Sequence, residues 1–349
     1  MTHRFPIKEI AVQSGLSTAT VDRVLNDRAH VSPQTRLRVA DAIAELERQE
    51  SQLAAKGRRV FIDVVIEAPR RFSREVREAG EAVLADLKPI AVRSRFQTFE
   101  TMTPETCVAL LNRIRKRGSQ GVCLKARDTP EIRNAIADLN RKHIPVVTIF
   151  TDIPASERIA YAGLDNFNAG RTAAYLMLNL IGSQASTVLT TLSQHAFQGE
   201  EDRYRGFRKE LSRLRPDIDV LDASGGGGLN LATGREVADR VRHKQEIAGV
   251  YSMGGGNVAI LNALDAAAVR PSAFIVHDLD EDNLELLKAN RLSLVLHHDL
   301  KADMLSAYRL ILAYHGLGSS PRFPTSDISI ITPMNIPAAI SGPMKSSRD

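Results

Sequence analysis

The sequence of 349 residues lacks tryptophan and contains only two cysteines, Cys107 and Cys123. Two cysteines without a CxxC pair are too few for a disulfide framework, and they lack the spacing of a zinc or redox site. We therefore expect two reduced, buried thiols, no metal centre and no other cofactor.

Long apolar runs are also missing. The N-terminal stretch MTHRFPIKEIAVQS has no apolar core of signal-peptide length, and no later segment approaches the length of a membrane span. The sequence contains no GxSxG elbow, phosphate loop or HExxH helix. These absences predict a cytoplasmic protein without a membrane partner, and they argue against an enzyme.

The basic excess per residue is concentrated at the N-terminus. The chain has a net charge of +5, and residues 1–60 carry ten Lys or Arg against seven Asp or Glu. This concentration fits a segment that faces nucleic acid, and equally an ordinary solvated surface. With 43% hydrophobic and 25% charged residues the chain is globular. Its length predicts two or three domains.

The first sixty residues predict three helices and no strand. Apolar residues recur at helical spacing in IKEIAVQS, in TATVDRVL after the N-cap Ser17, and in the stretch that begins at Ser32 and Pro33. Ser14 and Gly15 interrupt the pattern between the first two helices. The sequence therefore predicts a helix–turn–helix within a small helical bundle.

The stretch LSTATVDRVLN combines an apolar stripe with small and polar residues on its other face. In a helix–turn–helix the second helix lies in the major groove, and small side chains let it approach closely. Thr18 and Ala19 would then face base edges or thymine methyl groups, and Thr20 would reach a phosphate. Arg23, one turn further, would donate two hydrogen bonds to a guanine.

From Val60 onward, apolar strands alternate with helix-length segments. Continuous apolar strands of this kind predict parallel sheets covered on both faces, and their number predicts two doubly wound α/β lobes. The glycine-rich stretches 224–228 and 254–256 match neither a phosphate loop nor GxGxxG, so we interpret them as turns at strand ends. The predicted strands are FIDVVIEA, GVCLKA, IPVVTIF, STVLTTL, IAGVYSM, SAFIVHDL and LSLVLHH.

Three adjoining motifs resemble the LacI/GalR family of transcriptional regulators: IKEIAVQSGLSTATVDRVLN, HVSPQTRLRVADAIAELER and the hinge-like QLAAKG. The resemblance implies a helix–turn–helix DNA-binding domain over residues 1–47 and a hinge segment over 48–59. It implies an effector-binding and dimerisation domain over 60–349, similar to type I periplasmic binding proteins. The implied N-lobe covers about 60–162 and 293–326, and the implied C-lobe about 163–292 and 327–349.

The resemblance also implies residues that contact DNA. Among these, Leu53 would enter the minor groove and unstack a base step. Asp22 stands where many family members have serine, and its carboxylate is repelled by phosphates unless it accepts from a cytosine amino group or pairs with Arg23. The family's aromatic-x-Pro-Asn sequence before the hinge is missing. The implied DNA contacts are Ser17, Thr18, Ala19, Thr20, Asp22, Arg23, Asn26, His30 and Leu53.

Candidate effector contacts follow from the edge at which ligands bind open α/β sheets, beyond the carboxyl ends of the strands. Asp152 follows IPVVTIF, whereas Arg203 and Asp278 occupy positions at which the family presents a ligand-binding arginine and acid. Phe72 and Asp299 complete the predicted set, Phe72 as a cleft wall or a core residue and Asp299 as a hinge or ligand contact. Each polar residue has a structural alternative, as a turn cap, half of a surface ion pair or a loop anchor.

Adjacent histidines at His297 and His298 suggest a metal site. Neighbouring side chains on a strand point to opposite faces, so this pair cannot readily chelate one ion. We therefore expect no metal there, and expect the strand to end beside the cleft.

The resemblance implies a homodimeric, nucleoid-associated regulator, most simply a repressor, that binds a palindromic operator in double-stranded DNA. A carboxylate and an arginine in the cleft suit a sugar, polyol or sugar acid as the effector. The C-terminal PMNIPAAISGPMKSSRD has prolines and no leucine heptads, which favours a dimer over a coiled-coil tetramer. The alternatives are a soluble sugar-binding protein, an α/β enzyme with a helical appendage, and a regulator of a nucleobase or another polar metabolite.

Overall fold

The computed structural model describes residues 5–28, 31–55, 59–193, 197–242, 246–322 and 325–337, with the backbone alone over 48–55. The α-helices are α1 Ile7–Ser14, α2 Thr18–Leu25, α3 Pro33–Ala55, α4 Arg70–Ala82, α5 Pro104–Arg117, α6 Pro130–Asn140, α7 Asn166–Leu180, α8 Gln198–Leu214, α9 Asn230–Val241, α10 Asn257–Ala266, α11 Glu281–Lys288 and α12 Leu300–Tyr314. The strands are β1 Arg59–Glu67, β2 Ala91–Phe99, β3 Gly121–Lys125, β4 Val146–Ile149, β5 Ala160–Leu164, β6 Thr187–Thr191, β7 Asp219–Asp222, β8 Gly249–Ser252, β9 Ala273–His277, β10 Leu294–His297, β11 Thr325–Ser326 and β12 Ser329–Ile331. A short 3-10 helix, Val83–Leu87, follows α4.

The helical head, formed by α1 to α3, contains the predicted helix–turn–helix. Gly15 ends α1 in the left-handed region at φ 62°, and the Ser17 hydroxyl caps α2 by accepting a hydrogen bond from the backbone N–H of Thr20. Ile10 and Val21 are fully buried in a small core shared with α3. The apolar stripe read from the sequence is therefore the inner face of this bundle.

The third helix is longer than a three-helix head requires. Its backbone continues as helix to Ala55, so α3 includes most of the segment expected to be a hinge. Leu53 lies in this helix, but its side chain falls outside the described part of the structure, and His30 falls outside it entirely. The head and the start of the hinge thus share one continuous helix.

Each lobe is built on a six-stranded sheet. The N-lobe sheet has the order β11-β5-β4-β3-β1-β2 with parallel neighbours throughout. The C-lobe sheet has the order β12-β10-β9-β8-β6-β7, and β12 is antiparallel to β10. Helices cover the buried strands, which confirms the predicted doubly wound, two-lobed α/β fold. Beside the seven predicted strands, the sheets include five that the apolar pattern did not reveal: β2, β5 and β11 in the N-lobe and β7 and β12 in the C-lobe.

The chain passes between the lobes three times: after β5, after β10, and between β11 and β12. We expected a return to the N-lobe at about residue 293. Instead, Leu294–His297 pairs with β9 and β12 in the C-lobe sheet, and the chain rejoins the N-lobe with α12 and β11. The chain therefore returns to the N-lobe after His297, because pairing with β9 holds the apolar strand β10 in the C-lobe sheet.

Three smaller expectations concern cysteines, membranes and metals. Both cysteine side chains are buried, and burial raises the pKa of Cys107 to about 12. Within the described ranges, no helix is both long enough and apolar enough to cross a membrane. Among the same residues, no group of three or more His, Cys, Asp or Glu side chains is arranged to hold a metal ion.

The pair α7 and α8 approaches unusually closely because two glycines face the opposing backbone. A Cβ on Gly170 would lie 1.9 Å from the carbonyl oxygen of Arg203, and a Cβ on Gly206 would lie 2.1 Å from that of Phe167. Both distances are far below van der Waals contact. The two glycines therefore fix the position of α8, and with it the position of Arg203.

We predict that Gly170→Ala lowers the free energy of unfolding by about 1–3 kcal/mol or more, because the added methyl group forces the helices apart. Chemical denaturation would measure this loss. Gly182→Ala is the control, since a Cβ there would meet nothing within 4 Å. An equal loss in both variants would contradict the close-approach argument.

Candidate functional site

A cleft lies between the lobes, at the edge where the strands of both sheets end. Residues that directly follow strands line it from both sides, such as Ala68 and Phe150 in the N-lobe and Met253, Asp278 and His298 in the C-lobe. This is the edge at which open α/β sheets bind ligands. Three residues predicted from the sequence, Phe72, Arg203 and Asp278, meet in this cleft.

Arg203 supplies a fixed cation in the cleft wall. Its side chain leaves α8 and is 6% exposed. The Nε atom donates to the Asn166 side-chain oxygen at 2.7 Å, and one terminal nitrogen donates to the carbonyl of Met253 at 2.9 Å. The guanidinium group is therefore oriented before any ligand arrives.

Asp278 supplies the opposing anion. It follows β9 with a left-handed φ of 63°, a backbone conformation that is strained for residues other than glycine. Burial opposes its ionisation, but His298 and Arg203 hold the pKa of Asp278 well below its usual range. In the described structure its buried Oδ1 atom has no hydrogen-bond partner. An ionised carboxylate thus borders the cleft.

His298 links Asp278 to the N-lobe. Its Nε2 atom lies 3.3 Å from Asp278 Oδ1, an ion-pair distance, and its Nδ1 atom lies 2.5 Å from Asp303 Oδ2 on α12. Burial disfavours the charged ring, but the two carboxylates outweigh it and raise the pKa of His298 to about 9. The imidazolium therefore sits between two carboxylates where the chain passes from β10 to α12. His297 turns away, and its Nδ1 atom accepts from the backbone N–H of Leu279 at 3.2 Å.

A second buried pair of opposite charge lies in the cleft, and the sequence reasoning missed it. The ammonium group of Lys125, at the end of β3, donates to the carbonyl of Glu67 at 2.9 Å and lies 4.1 Å from the centre of the Phe197 ring. Glu200 accepts from both the backbone N–H and the hydroxyl of Ser193. Burial lowers the pKa of Lys125 and raises that of Glu200. The available signal was the position of Lys125 at the end of a buried strand.

His277 is another cleft residue that the sequence reasoning missed. Its Nε2 atom lies 2.7 Å from the Tyr251 hydroxyl, and its buried Nδ1 atom has no partner among the described residues. Burial holds the pKa of His277 well below its ordinary value, so the ring is neutral. It therefore adds an uncharged polar atom to the lining.

Aromatic rings form the N-lobe wall of the cleft. Phe72 packs edge-on against Phe150 with ring centres 5.3 Å apart. Phe72 is half-buried against the N-lobe core and also lines the cleft, so it serves as both wall and core residue. Phe150, like Asp278, has a left-handed φ of 63° directly after its strand.

Asp152 and Asp299 belong to local structure instead of the cleft lining. Asp152 forms a two-pronged ion pair with Arg158 and accepts from the Thr148 hydroxyl at 2.6 Å. Asp299 caps α12, accepting from the backbone N–H groups of residues 301 and 302. Neither is among the residues that line the cleft. Their oxygens already satisfy neighbouring donors, which corresponds to the structural alternatives noted for both.

The outward face of α2 is a second candidate surface. Asp22 accepts from the side-chain amide of Asn26 at 2.8 Å and lies 3.3 Å from a terminal nitrogen of Arg28. It therefore pairs with these two residues instead of Arg23, whose side chain is exposed. The other predicted contacts on this face are partly or fully exposed: Ser17, Thr18, Ala19 and Thr20.

We predict that the free energy of unfolding falls by on the order of 2 kcal/mol between pH 7 and 9. The folded protein raises the pKa of His298 from 6.5 to about 9, and the charged ring stabilises the folded state only while it keeps its proton. This contribution is complete below the unfolded pKa and disappears as the pH rises through the folded one. Chemical denaturation across this range should show a flatter profile for His298→Gln. His315→Gln is the control, since that ring contacts a backbone carbonyl, and it should keep the wild-type profile.

Comparison with known proteins assigns both parts of the chain. Residues 6–48 match the model of bacterial regulatory proteins of the lacI family, and residues 68–312 match the periplasmic binding protein domain. None of the curated proteins matches the sequence.

Solved structures share the fold at low sequence identity. The glucose-galactose binding protein GanP from Geobacillus stearothermophilus is 17% identical, with a TM-score of 0.72 over 80% of this chain and 99% of that one. A solute binding protein from Burkholderia graminis, in complex with D-arabinose, is 18% identical, with a TM-score of 0.72 over 81% and 98%. A proposed LacI transcriptional regulator from Bacteroides fragilis is 14% identical, with a TM-score of 0.70 over 80% and 98%. The chain therefore belongs, over most of its length, to the periplasmic binding protein family, and it carries an N-terminal DNA-binding head that matches the lacI family of bacterial regulatory proteins.

Proposed function

We propose that this protein is a transcriptional repressor that binds a palindromic operator as a homodimer and responds to a sugar, a polyol or a sugar acid. One observation carries the proposal: the half-buried, ionised Asp278 shares a cleft with the fixed guanidinium group of Arg203, in a chain whose head exposes a recognition helix. The match of the head to the lacI family supports the regulatory part.

The chemistry of the cleft favours a ligand with several hydroxyl groups. Asp278 lines the cleft and can accept from hydroxyl groups, Arg203 can donate to a ring or carboxylate oxygen, and Phe72 offers an apolar edge. The charges of Arg203 and Asp278 balance, as do those of Lys125 and Glu200. A neutral sugar or polyol preserves this balance, so we rank it above a sugar acid. The sugars named for the similar binding proteins agree with this class.

On the DNA side, Thr18, Ala19 and Arg23 are the proposed base-reading residues. Thr20 would contact a phosphate, and Ser17, whose hydroxyl caps α2, places the helix N-terminus beside the backbone. Asp22 brings a negative charge to this surface, but its pairing with Arg28 offsets part of the repulsion from phosphates.

Further DNA contacts are proposed from the family position alone. Asn26 and His30 would lie near the backbone or groove edge, and Leu53 would be the wedge in the minor groove. Two copies of the wedge, one from each protomer, would enter the operator centre.

The proposed control links the two sites through lobe movement. The three passages of the chain between the lobes allow the lobes to move relative to one another. Ligand-induced closure would change how paired N-lobes, and the α3 helices that precede them, are spaced on DNA. An effector shifts operator affinity only by its preference for one arrangement over the other.

Two functions from other classes compete with this proposal. A soluble sugar-binding protein would have the same cleft but no use for a DNA-binding head. An α/β enzyme would turn over a sugar that the cleft binds, which a product assay would detect. The lacI-family head and the binding-protein fold favour a regulator without catalysis.

Selection from random duplex DNA tests the regulator directly. The purified protein, without added ligand, would be used to capture duplexes for sequencing. An enriched palindrome would support a dimeric operator reader. If no sequence is enriched with or without a sugar mixture, the proposal of sequence-specific binding is wrong.

On the selected site, we predict that Arg23→Ala costs about 1–3 kcal/mol of binding free energy and relaxes the preference at one base pair of each half-site. Titration of matched and mismatched duplexes would measure both effects. Arg213→Ala, on the C-lobe helix α8, is the control. Unchanged affinity and preference in Arg23→Ala would remove this residue from the base-reading set.

We further predict that Asp278→Asn weakens binding of a neutral sugar at least tenfold, because a hydrogen bond to a charged acceptor is lost. Asparagine tolerates the left-handed backbone of this position. Calorimetric titration with a panel of monosaccharides and polyols would identify the ligand and measure the loss. Asp299→Asn, which can still cap α12, should bind normally, and a matching loss there would contradict the cleft assignment.

A further inference from the structure

An arginine from the N-lobe extends across the mouth of the cleft into the C-lobe. Arg71, on α4, donates through Nε to Asp280 Oδ2 at 2.8 Å and through Nη2 to the carbonyl oxygen of Gly228 at 3.0 Å. The Arg71 side chain is 19% exposed and that of Asp280 is 9% exposed. This contact is therefore partly shielded from solvent, unlike an ordinary surface ion pair.

The C-lobe side of this contact is built from the two glycine-rich loops that follow β7 and β8, together with Asp280 after β9. We call this set the glycine socket; its residues are Gly228, Gly254, Gly255 and Asp280. A Cβ on Gly255, where φ is +88°, would lie 2.4 Å from Arg71 Nη2. A Cβ on Gly228 would lie 2.2 Å from the carbonyl oxygen of Gly254. The glycines thus leave both the space for the guanidinium group and the close approach of the loops.

We propose that the docking of Arg71 in the glycine socket is a latch that holds the two lobes closed over the cleft. Arg71 and Asp280 both line the cleft, so the latch also forms part of its mouth. The inference rests on the proposed function only in taking lobe closure as the regulated movement.

The geometry supports a latch specific to Arg71. Its planar guanidinium group donates to a carboxylate and a backbone carbonyl at once, which an ammonium group cannot do with the same orientation. The second pair across the mouth, Arg74 with Glu281 at 2.6 Å, is more than half exposed on both sides and contributes little. Since Arg71 occupies the mouth, the lobes must separate before a ligand enters or leaves.

The interlobe distance of the ligand-free, full-length protein tests the latch. Spin labels are attached at Glu131→Cys on α6 of the N-lobe and at Glu236→Cys on α9 of the C-lobe. Pulsed electron paramagnetic resonance then measures the distance between the two labels. Labelled protein is diluted with excess unlabelled protein, so that only distances within one chain are measured. The two native cysteines are buried and stay unlabelled. This readout requires neither DNA nor an effector, so it is independent of the proposed function.

We predict that Arg71→Gln and Asp280→Asn shift the distance distribution toward longer, open values. Asparagine still caps α11, so Asp280→Asn isolates the lost charge. Arg70→Gln is the matched control, because Arg70 is the preceding residue, is 88% exposed and pairs with Glu100 inside the N-lobe. It should keep the wild-type distribution. Arg71→Lys provides a conservative second variant, with a smaller shift in the same direction.

Gly255→Ala tests the socket from the other side. It should open the lobes in the wild-type background and add no further shift to Arg71→Gln, whose shorter side chain leaves the space free. An equal shift in both backgrounds would assign the effect to strain in the loop and overturn the socket. Identical distributions for the wild type, Arg71→Gln and Asp280→Asn would overturn the latch itself.

Discussion

The ionic chain formed by Asp278, His298 and Asp303 is the contact on which the arrangement of the two lobes depends most. A lone buried charge is costly, whereas an imidazolium between two carboxylates keeps each charge compensated. Asp278 and His298 follow C-lobe strands, and Asp303 belongs to an N-lobe helix. Separating the lobes at this passage would leave uncompensated charge, which favours lobe movements that keep these three side chains together.

The same chain connects occupancy of the cleft to the lobes. Asp278 lines the cleft while its Oδ1 atom faces His298, so a ligand hydroxyl bound by this carboxylate would join the ionic chain. In the proposed function, binding then completes a network that already extends into the N-lobe. Arg203 approaches from the other side, held by Asn166 and by the close α7–α8 contact at Gly170. These contacts therefore hold the Arg203 side chain in position before a ligand binds.

Sequence patterns predicted the strands whose side chains are almost all buried, and they missed the partly exposed strands β2, β5, β7, β11 and β12. Of these, β5 lies inside its sheet and the other four lie at sheet edges, where β2 exposes polar residues such as Arg93. Within the site, Arg203 and Asp278 stood out because they match family positions. Lys125 and His277 did not, because their partners Glu67 and Tyr251 lie 58 and 26 positions away in the sequence. Glu200 did not either, because its hydrogen bonds to the nearby Ser193 give no sign in the sequence that it lines the cleft. Asp152 and Asp299 show the opposite case. Both follow strands, but their carboxylates bind donors within a few residues in the sequence and do not line the cleft.

The glycine-rich loops show why a motif search could not assign this part of the chain. They match no phosphate pattern, and their glycines contact a protein side chain that lies more than 150 residues away in sequence. The loops must leave room for a guanidinium group, and the glycines that leave this room are the only sign of it in the sequence. The buried ionic chain constrains one side of the lobe boundary, and Arg71 closes the other. Because these two contacts lie on different elements, the latch can open to admit a ligand while the ionic chain stays intact.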